Sequence, residues 1–566
     1  MKLQGHPVSA GFAAGRILKY VPYCPKFEKT TIDKSRIKPE MKQFLDAREK
    51  AVFEINRIAA LSTDDLSKVF KAHIMMLTDP DIEDEVNQEI ESGKCFRWAI
   101  CEVFERYEKQ LASAGDPVLR ERVNDMKDLQ TRLLRCADCV PETSLSHLEP
   151  STIVAASDLF PSDTAKIDKN SIAAILTENG GAASHTAIIA RAYGIPAIAG
   201  IHDLLSSVSD GQSAAVDAQS GSVILDPSEE ETEAIKAKAA DLAQSRSDEK
   251  LFLDRAAATS DGKRIQILVN LGSTDDAVLS AAAFTDGAGL VRSEFLYMKS
   301  DSFPSEEVQM EQYRKVLQSF EGRPVTIRTL DIGGDKSLAY WNLPKEDNPF
   351  LGIRALRLCL KNPAVFKTQL RALLRASVYG QLRIMFPMVA SIEDFTAAVS
   401  ILSQCKDELK SEGIPFSGSI QTGLMIEIPS AAILADKFAK IADFASIGTN
   451  DLIQYALASD RMNPEMAPYY QQYNPAVFRL IDNSCKAFNG QGKDICVCGE
   501  MAGDVRGAAV LAGLGVTGLS MNATCVARIK KLICTHQASE FTALAESVLN
   551  CSSEREILGI FKKEGI

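Results

Sequence analysis

Three arginines, two carboxylates and a histidine occupy positions in this 566-residue chain where chemistry is usually built. Arg292 and Arg328 close apolar runs, in Val291-Arg292-Ser293-Glu294-Phe295 and in Ile327-Arg328-Thr329-Leu330-Asp331-Ile332-Gly333-Gly334-Asp335-Lys336. Arg354 sits in a third string, Gly352-Ile353-Arg354-Ala355-Leu356-Arg357. A guanidinium fork grips phosphate or carboxylate oxygens two at a time, although a single arginine equally serves a surface ion pair. Two further runs carry acids at their ends, Glu427 in Met425-Ile426-Glu427-Ile428-Pro429 and Asp451 in Ile447-Gly448-Thr449-Asn450-Asp451-Leu452. Buried acids need a partner or a metal, and two carboxylates completed by substrate oxygens and water suit Mg²⁺; ion pairs with the arginines are the alternative. His185 follows Asn179-Gly180-Gly181-Ala182-Ala183-Ser184 and precedes Thr186-Ala187-Ile188-Ile189-Ala190-Arg191. Two glycines permit a tight turn and Ser184 can cap a helix, which puts His185 in its first turn. Free N–H groups there favour a neutral, nucleophilic imidazole and would stabilise an attached phosphate, while the same pattern also fits a histidine that merely begins a helix.

These side chains need scaffolds, and the texture of the chain changes several times. Residues 30–143 read as a helical bundle, with apolar spacing of three and four over Met41–Leu61, Asp64–Leu77, Ile82–Ser92, Arg97–Ala112 and Pro117–Cys136. Short β-like runs at Thr152–Ala156, Ala173–Thr177, Ala197–Gly200, Ala214–Asp217 and Ser222–Leu225 make residues 144–227 a compact α/β unit. The first 29 residues share that character, so the bundle reads as an insertion. Residues 228–255 read as a polar helix with a thin stripe of Ile235, Ala239 and Leu242, the pattern of a linker. Within 256–566, eight apolar runs alternate with helical periodicity: Ile265–Leu271, Gly289–Arg292, Val325–Asp331, Leu382–Met388, Gly423–Ile428, Phe444–Gly448, Ile495–Gly499 and Gly518–Met521. The expected fold class is therefore multidomain α/β ending in a (β/α)8 TIM barrel, with the arginines and acids at the C-terminal ends of its strands.

Composition narrows the function. The net charge of −12 argues against a nucleic-acid binder and against binding to an anionic membrane surface. No window approaches about 18 consecutive apolar residues, so no membrane span is expected, and Met1–Tyr20 lacks the apolar run of a signal peptide. Thirteen scattered cysteines then point to reduced thiols in a cytoplasmic setting. Cys136 and Cys139 form a CxxC, but no second pair or nearby histidine completes a zinc site, and they read as structural thiols.

The string from Gly180 to Arg191, followed by Gly194-Ile195-Pro196-Ala197, resembles the phosphohistidine domain of the phosphoenolpyruvate-utilising enzymes, a family that includes enzyme I of the bacterial sugar phosphotransferase system, phosphoenolpyruvate synthase and pyruvate phosphate dikinase. The barrel strings, with Asn450-Asp451, Asp460-Arg461 and Cys498-Gly499-Glu500, resemble the enzyme I barrel in the same order. The resemblance spans essentially the whole chain, and the stretch before His185 is too short to hold the nucleotide-binding domain of the dikinase and synthase. It implies transient phosphorylation of His185 by phosphoenolpyruvate, release of pyruvate, and transfer to the histidine of the small carrier HPr. It further implies that Glu427 and Asp451 bind Mg²⁺, that Arg292, Arg328, Asn450, Asp451 and Arg461 hold phosphoenolpyruvate with Arg354 as a neighbour, and that Cys498 protonates C3 of the enolate. Cys496 is left to packing, and Thr164 in Pro161-Ser162-Asp163-Thr164-Ala165 is expected to face His185. Ala182-Ala183 departs from the Arg-Thr of some enzyme I sequences, which removes one possible phosphate contact. On the same grounds residues 30–143 become the HPr-docking domain, 228–255 its hinge to the barrel, and the barrels the contact of a homodimer. His73 to Leu77, flanked by Asp64, Asp65 and Asp81, resembles the docking helices, but Lys68 and Lys71 make that face less acidic and leave the acceptor's identity open.

Two other readings are a metal-dependent lyase or carboxyl-transfer barrel with a structural His185, and a partner-binding scaffold without turnover. The first forms no phosphorylated intermediate. The second predicts lost arginine or acid positions, and all of those named are present.

Overall fold

The computed structural model describes the chain apart from residues 22–26, 60–63, 113–116, 141–144, 146–147, 160–170, 182–183 and seven single positions (299, 335, 337, 339, 342, 345 and 467). The side chains of some helical residues, His185, Lys68 and Lys71 among them, also lie outside the described set, as does Thr164. The described chain forms two compact units, Met1–Gln244 and Ser245–Ile566.

The first unit is built on an eight-stranded sheet. Its strands are β1 (Lys2–Gln4), β2 (His6–Ser9), β3 (Phe12–Tyr20), β4 (Thr152–Ala156), β5 (Ile172–Thr177), β6 (Ala197–Ala199), β7 (Ser213–Asp217) and β8 (Ser222–Leu225), in the order β1-β8-β7-β3-β4-β5-β6-β2. The central strands β3, β4, β5 and β6 run parallel, and the outer ones pair antiparallel. β4 is buried at all five residues, which explains its unbroken apolar run. Among the described residues, five helices stand between β3 and β4: α1 (Ile37–Ala59), α2 (Asp64–Leu77), α3 (Pro80–Glu91), α4 (Phe96–Ala112) and α5 (Pro117–Ala137). Asp79 caps α3 by accepting a hydrogen bond from the Asp81 N–H, with Pro80 opening the first turn. Phe44, Ala51, Ile55, Phe70, Phe96, Val103, Phe104, Leu129 and Leu133 fill the helical core.

One expectation needs correcting here. His73 is not part of an outward face: it is 1% exposed, 3.4 Å from Asp125 through Nε2, and edge-on to Phe70. The period of α2 turns it inward, while Met75 two residues on is 72% exposed.

A helix at Glu229–Lys250 follows β8, and Ile235 is its only buried residue. The second unit is a closed barrel of β9 (Gln266–Leu271), β10 (Ala288–Arg292), β11 (Val325–Arg328), β12 (Leu382–Phe386), β13 (Gln421–Ile426), β14 (Phe444–Ile447), β15 (Ile495–Val497) and β16 (Gly518–Met521). Every neighbouring pair is parallel, and β16 closes on β9. The strands end earlier than their apolar patterns. β11 stops at Arg328 rather than Asp331, β12 at Phe386 rather than Met388, and β13 at Ile426 rather than Ile428. The extra residues, the half-buried Ile428 apart, are buried but have left the ladder to turn over the barrel mouth, and Met388 does so at φ 53°.

Candidate active site

In the first unit, the chain turns through Gly180 at φ +93° and enters the helix His185–Tyr193. The Ser184 Oγ accepts a hydrogen bond from the Ala187 N–H at 3.2 Å, and Gly194 ends the helix in the left-handed region. Thr186 Oγ1 donates to Asp158 Oδ1 at 3.2 Å, tying the first turn to the end of β4. The backbone thus places His185 at the first helical position, where the exposed N–H groups and helix dipole disfavour a cationic ring and favour an anionic substituent.

In the second unit, the C-terminal mouth of the barrel holds a cavity of about 690 Å³. Arg292, Arg328, Glu427, Asn450, Asp451, Arg461 and Cys498 all line it. Strand register accounts for the grouping: Arg292 ends β10 directly opposite Arg328 ending β11. Glu427 follows β13, Asn450 and Asp451 open the helix Thr449–Leu457 after β14, and Cys498 follows β15. Arg354 does not line the cavity but braces it from behind, 1% exposed.

The buried charges form one network. Arg328 donates to Glu294 Oε1 at 2.6 Å and lies 2.9 Å from Asp331. Arg354 reaches both Asp331 oxygens at 3.0 and 3.2 Å, the Tyr455 hydroxyl at 3.2 Å and Asp451 Oδ1 at 3.6 Å. Burial works against the charge on Asp331, but Arg328 and Arg354 win and hold its carboxyl well below the usual range. Lys336 adds a cation 3.7 Å from Asp331, and Arg461 lies 3.9 Å from Asp451.

Glu427 is the exception. It is fully buried, its Oε1 accepts the Met388 N–H at 2.6 Å, and its Oε2 has no hydrogen-bond partner. Burial first, then the charges of Asp451 and Asp331, push its carboxyl up to about 8. Asp451 Oδ1 also lacks a hydrogen-bond partner. Glu427 Oε2, with no partner, costs on the order of 1–3 kcal/mol unless something meets it, and Asp451 Oδ1 is faced by Arg354 and Arg461 only at 3.6 and 3.9 Å; a hard cation would satisfy both oxygens. Gly448 makes the room, since a Cβ there would stand 3.0 Å from Glu427 Oε2. Gly499 is equally constrained: a Cβ would meet Thr449 Oγ1 at 1.9 Å.

Cys498 sits on an apolar floor with Leu290, Met385, Met425 and Phe444. Its Sγ is 3.7 Å from the Ile447 carbonyl, and burial pushes the thiol up to about 11, against the opposing pull of Ser446 and Arg328. Asn270 fixes this strand end by donating to the Cys498 carbonyl at 3.0 Å while accepting from Ser520 Oγ at 2.6 Å. Cys496, two residues back, lies 4.0 Å from Thr517 Oγ1 and does not line the cavity.

Glu294, Asp331, Lys336 and Tyr455 belong to the site without having been given roles from the sequence. The first three lie in the arginine strings, where an acid two or three residues beyond a strand-end arginine was the available signal. Tyr455 stands four residues after Asp451, on the same helical face.

Known proteins match this chain in order and over its length. The PEP-utilising enzyme N-terminal model matches residues 4–122, the mobile-domain model 148–221 and the PEP-binding-domain model 246–538. A phosphoenolpyruvate-protein phosphotransferase of Listeria monocytogenes is 39% identical over 99% of both chains, and one of Enterococcus faecalis is 40% identical over the same share. A solution structure of an enzyme I protein, nEIt, is 31% identical, with a TM-score of 0.40, across 43% of this chain and 99% of its own. This chain belongs to the PEP-utilising enzyme family and, within it, to the phosphoenolpyruvate–protein phosphotransferases.

Proposed function

We propose that the chain takes the phosphoryl group of phosphoenolpyruvate onto His185, releases pyruvate, and passes the group to a histidine of an HPr-like carrier, the first step of a sugar phosphotransferase system. The observation that carries this is the barrel cavity, which joins three arginines, two acid oxygens without hydrogen-bond partners and a buried thiol.

Arg292, Arg328, Arg461 and the Asn450 amide hold the phosphate and carboxylate of the substrate. Glu427 and Asp451 hold Mg²⁺, whose charge, when bound, offsets the anionic oxygens of the substrate. The His185 ring nitrogen attacks phosphorus: a P–N bond forms, the P–O bond to the enol breaks, and its electron pair stays on the enolate oxygen. Cys498 gives its proton to C3 of that enolate to complete pyruvate. A thiol pushed up to about 11 keeps its proton at neutral pH, the state a donor requires. The polar helix Glu229–Lys250 is the hinge through which His185 serves first the barrel site and then the acceptor bound at the helical domain of residues 30–143. Two chains associate through their barrels; gel filtration at about twice 61.6 kDa is expected, and elution as a single chain would remove that part.

Protonation of Glu427 competes with Mg²⁺. In the metal-free chain its folded value, up to about 8, lies above the ordinary 4.5, so its contribution favours the fold at low pH and is lost as pH rises through 8. Metal affinity runs the opposite way. Calorimetric titration with MgCl₂ should show affinity rising from about pH 6.5 to about pH 8 and levelling above, whereas a flat profile would contradict a Glu427 ligand.

Turnover tests the whole reading. With phosphoenolpyruvate and Mg²⁺ alone, pyruvate should appear as a burst of one equivalent per chain and then stop. Added HPr should make its release continuous. Continuous release without any acceptor protein would favour the lyase reading.

A further inference from the structure

The CxxC at Cys136 and Cys139 lies far in sequence from every residue of the proposed reaction, and the structure gives its two sulfurs different surroundings. Cys136 is on the last turn of α5 and 4% exposed. Cys139 is exposed, has left the helix at φ 52°, and donates its N–H to the Cys136 carbonyl at 3.3 Å. The Lys50 ammonium lies 3.5 Å from the Cys139 sulfur. Both cysteines line one surface cavity of about 690 Å³ with Glu49, Lys50, Phe53, Glu54 and Arg57, and the Phe53 ring in its wall is 71% exposed. Glu54 is already bridged to Arg132 at 3.3 Å and to Arg135.

We propose that this cavity is a thiol–disulfide exchange site, in which Cys139 reacts with a low-molecular-weight disulfide and Cys136 resolves the adduct. An exposed sulfur beside an ammonium, with a partner thiol one helical turn away, is the arrangement that two-step exchange requires. Residues three apart on a helix have Cβ atoms about 5–6 Å apart, and a disulfide needs about 3.5–4.5 Å. Because Cys139 is already outside the helix, it is the residue that would move to close the ring. A zinc centre is the competing use, but no cluster of three or more potential ligands occurs among the described residues.

In the first step the Cys139 thiolate attacks one sulfur of RSSR; a Cys139–S–S–R bond forms, the R–S–S–R bond breaks, and RS⁻ leaves. In the second the Cys136 thiolate attacks the Cys139 sulfur and expels the second RS⁻. The two thiol protons end on two RSH, so the chain is oxidised by two electrons and the small disulfide reduced by two. Burial pushes the Cys136 thiol up to about 11, which makes it the second sulfur to react.

The tryptic peptide that starts at Cys136 contains only these two cysteines. The full chain is to be incubated with glutathione disulfide at about pH 8, alkylated with iodoacetamide and digested. The expected product is that peptide lighter by two hydrogens and free of alkylation, reverting with dithiothreitol. In Cys136→Ala, Cys139 should carry one glutathione at several times the occupancy of the half-buried Cys95, Cys525 and Cys534. Full alkylation of both thiols in the wild type, or an occupancy at Cys139 no higher than at those three, would overturn the proposal.

Discussion

Cys498→Ala is expected to bind phosphoenolpyruvate with little change while forming pyruvate roughly 10²–10⁴-fold more slowly, the usual range for a missing general acid. The residue touches the cavity but makes no salt bridge, so removing the thiol leaves the arginines and acids in place. The floor beneath it is apolar, and truncation to Ala leaves a void of one sulfur atom, a cost of about 1 kcal/mol or less. A loss of catalysis without a matching loss of stability therefore separates proton donation from packing. Two measurements make the distinction: pyruvate release under saturating substrate, and thermal unfolding of the same sample. Undiminished release would remove the acid role and return Cys498 to being a small buried hydrophobe.

Glu427→Gln should cost still more in turnover, about 10³-fold or greater, because it removes one of two metal-binding carboxylates and with it the charge that offsets the substrate's anions. Its effect on the metal-free fold runs the other way. The wild-type carboxyl is buried with one oxygen unpartnered and is pushed up by burial and by Asp451 and Asp331. A neutral amide of nearly the same shape can keep the Met388 contact and no longer faces those charges, so metal-free stability is expected to hold or rise. Added Mg²⁺, which should raise the midpoint of the wild type by mass action, should leave the variant unmoved. A variant that keeps both full turnover and the Mg²⁺-dependent shift would show that the metal is held elsewhere.

The barrel was legible because strands of a closed parallel sheet are buried on both sides and read as continuous apolar runs. β12 and β14 are buried throughout, and Arg383 and Ser446, the one polar residue in each, did not break the runs because both are buried with their strands. Legibility failed at the strand ends, where Met388 turns at positive φ and Gly448 opens the next helix. There the residues are as buried as the strand but no longer belong to it, so hydrophobic pattern overshoots by one to three positions. Single site residues could be read where a guanidinium or carboxylate closed a run, as at Arg292 and Glu427. Glu294, Asp331 and Lys336 could not be ranked, because their meaning lies in partners brought together across β10 and β11 and by the turn after β11. His73 failed for a related reason: a histidine on an amphipathic helix is ambiguous until the packing around it is known, and here it is core. The two sulfurs of the CxxC were equally indistinguishable in sequence, since only the end of α5 decides that one is buried and one exposed.

The central claim is a phosphohistidine at position 185. Incubation of the wild type with ³²P-labelled phosphoenolpyruvate and Mg²⁺ should leave a label on the chain that is lost in acid and stable in base. His185→Ala, whose barrel site is untouched, should carry none. Equal labelling of the two proteins, or a label stable in acid, would contradict the account.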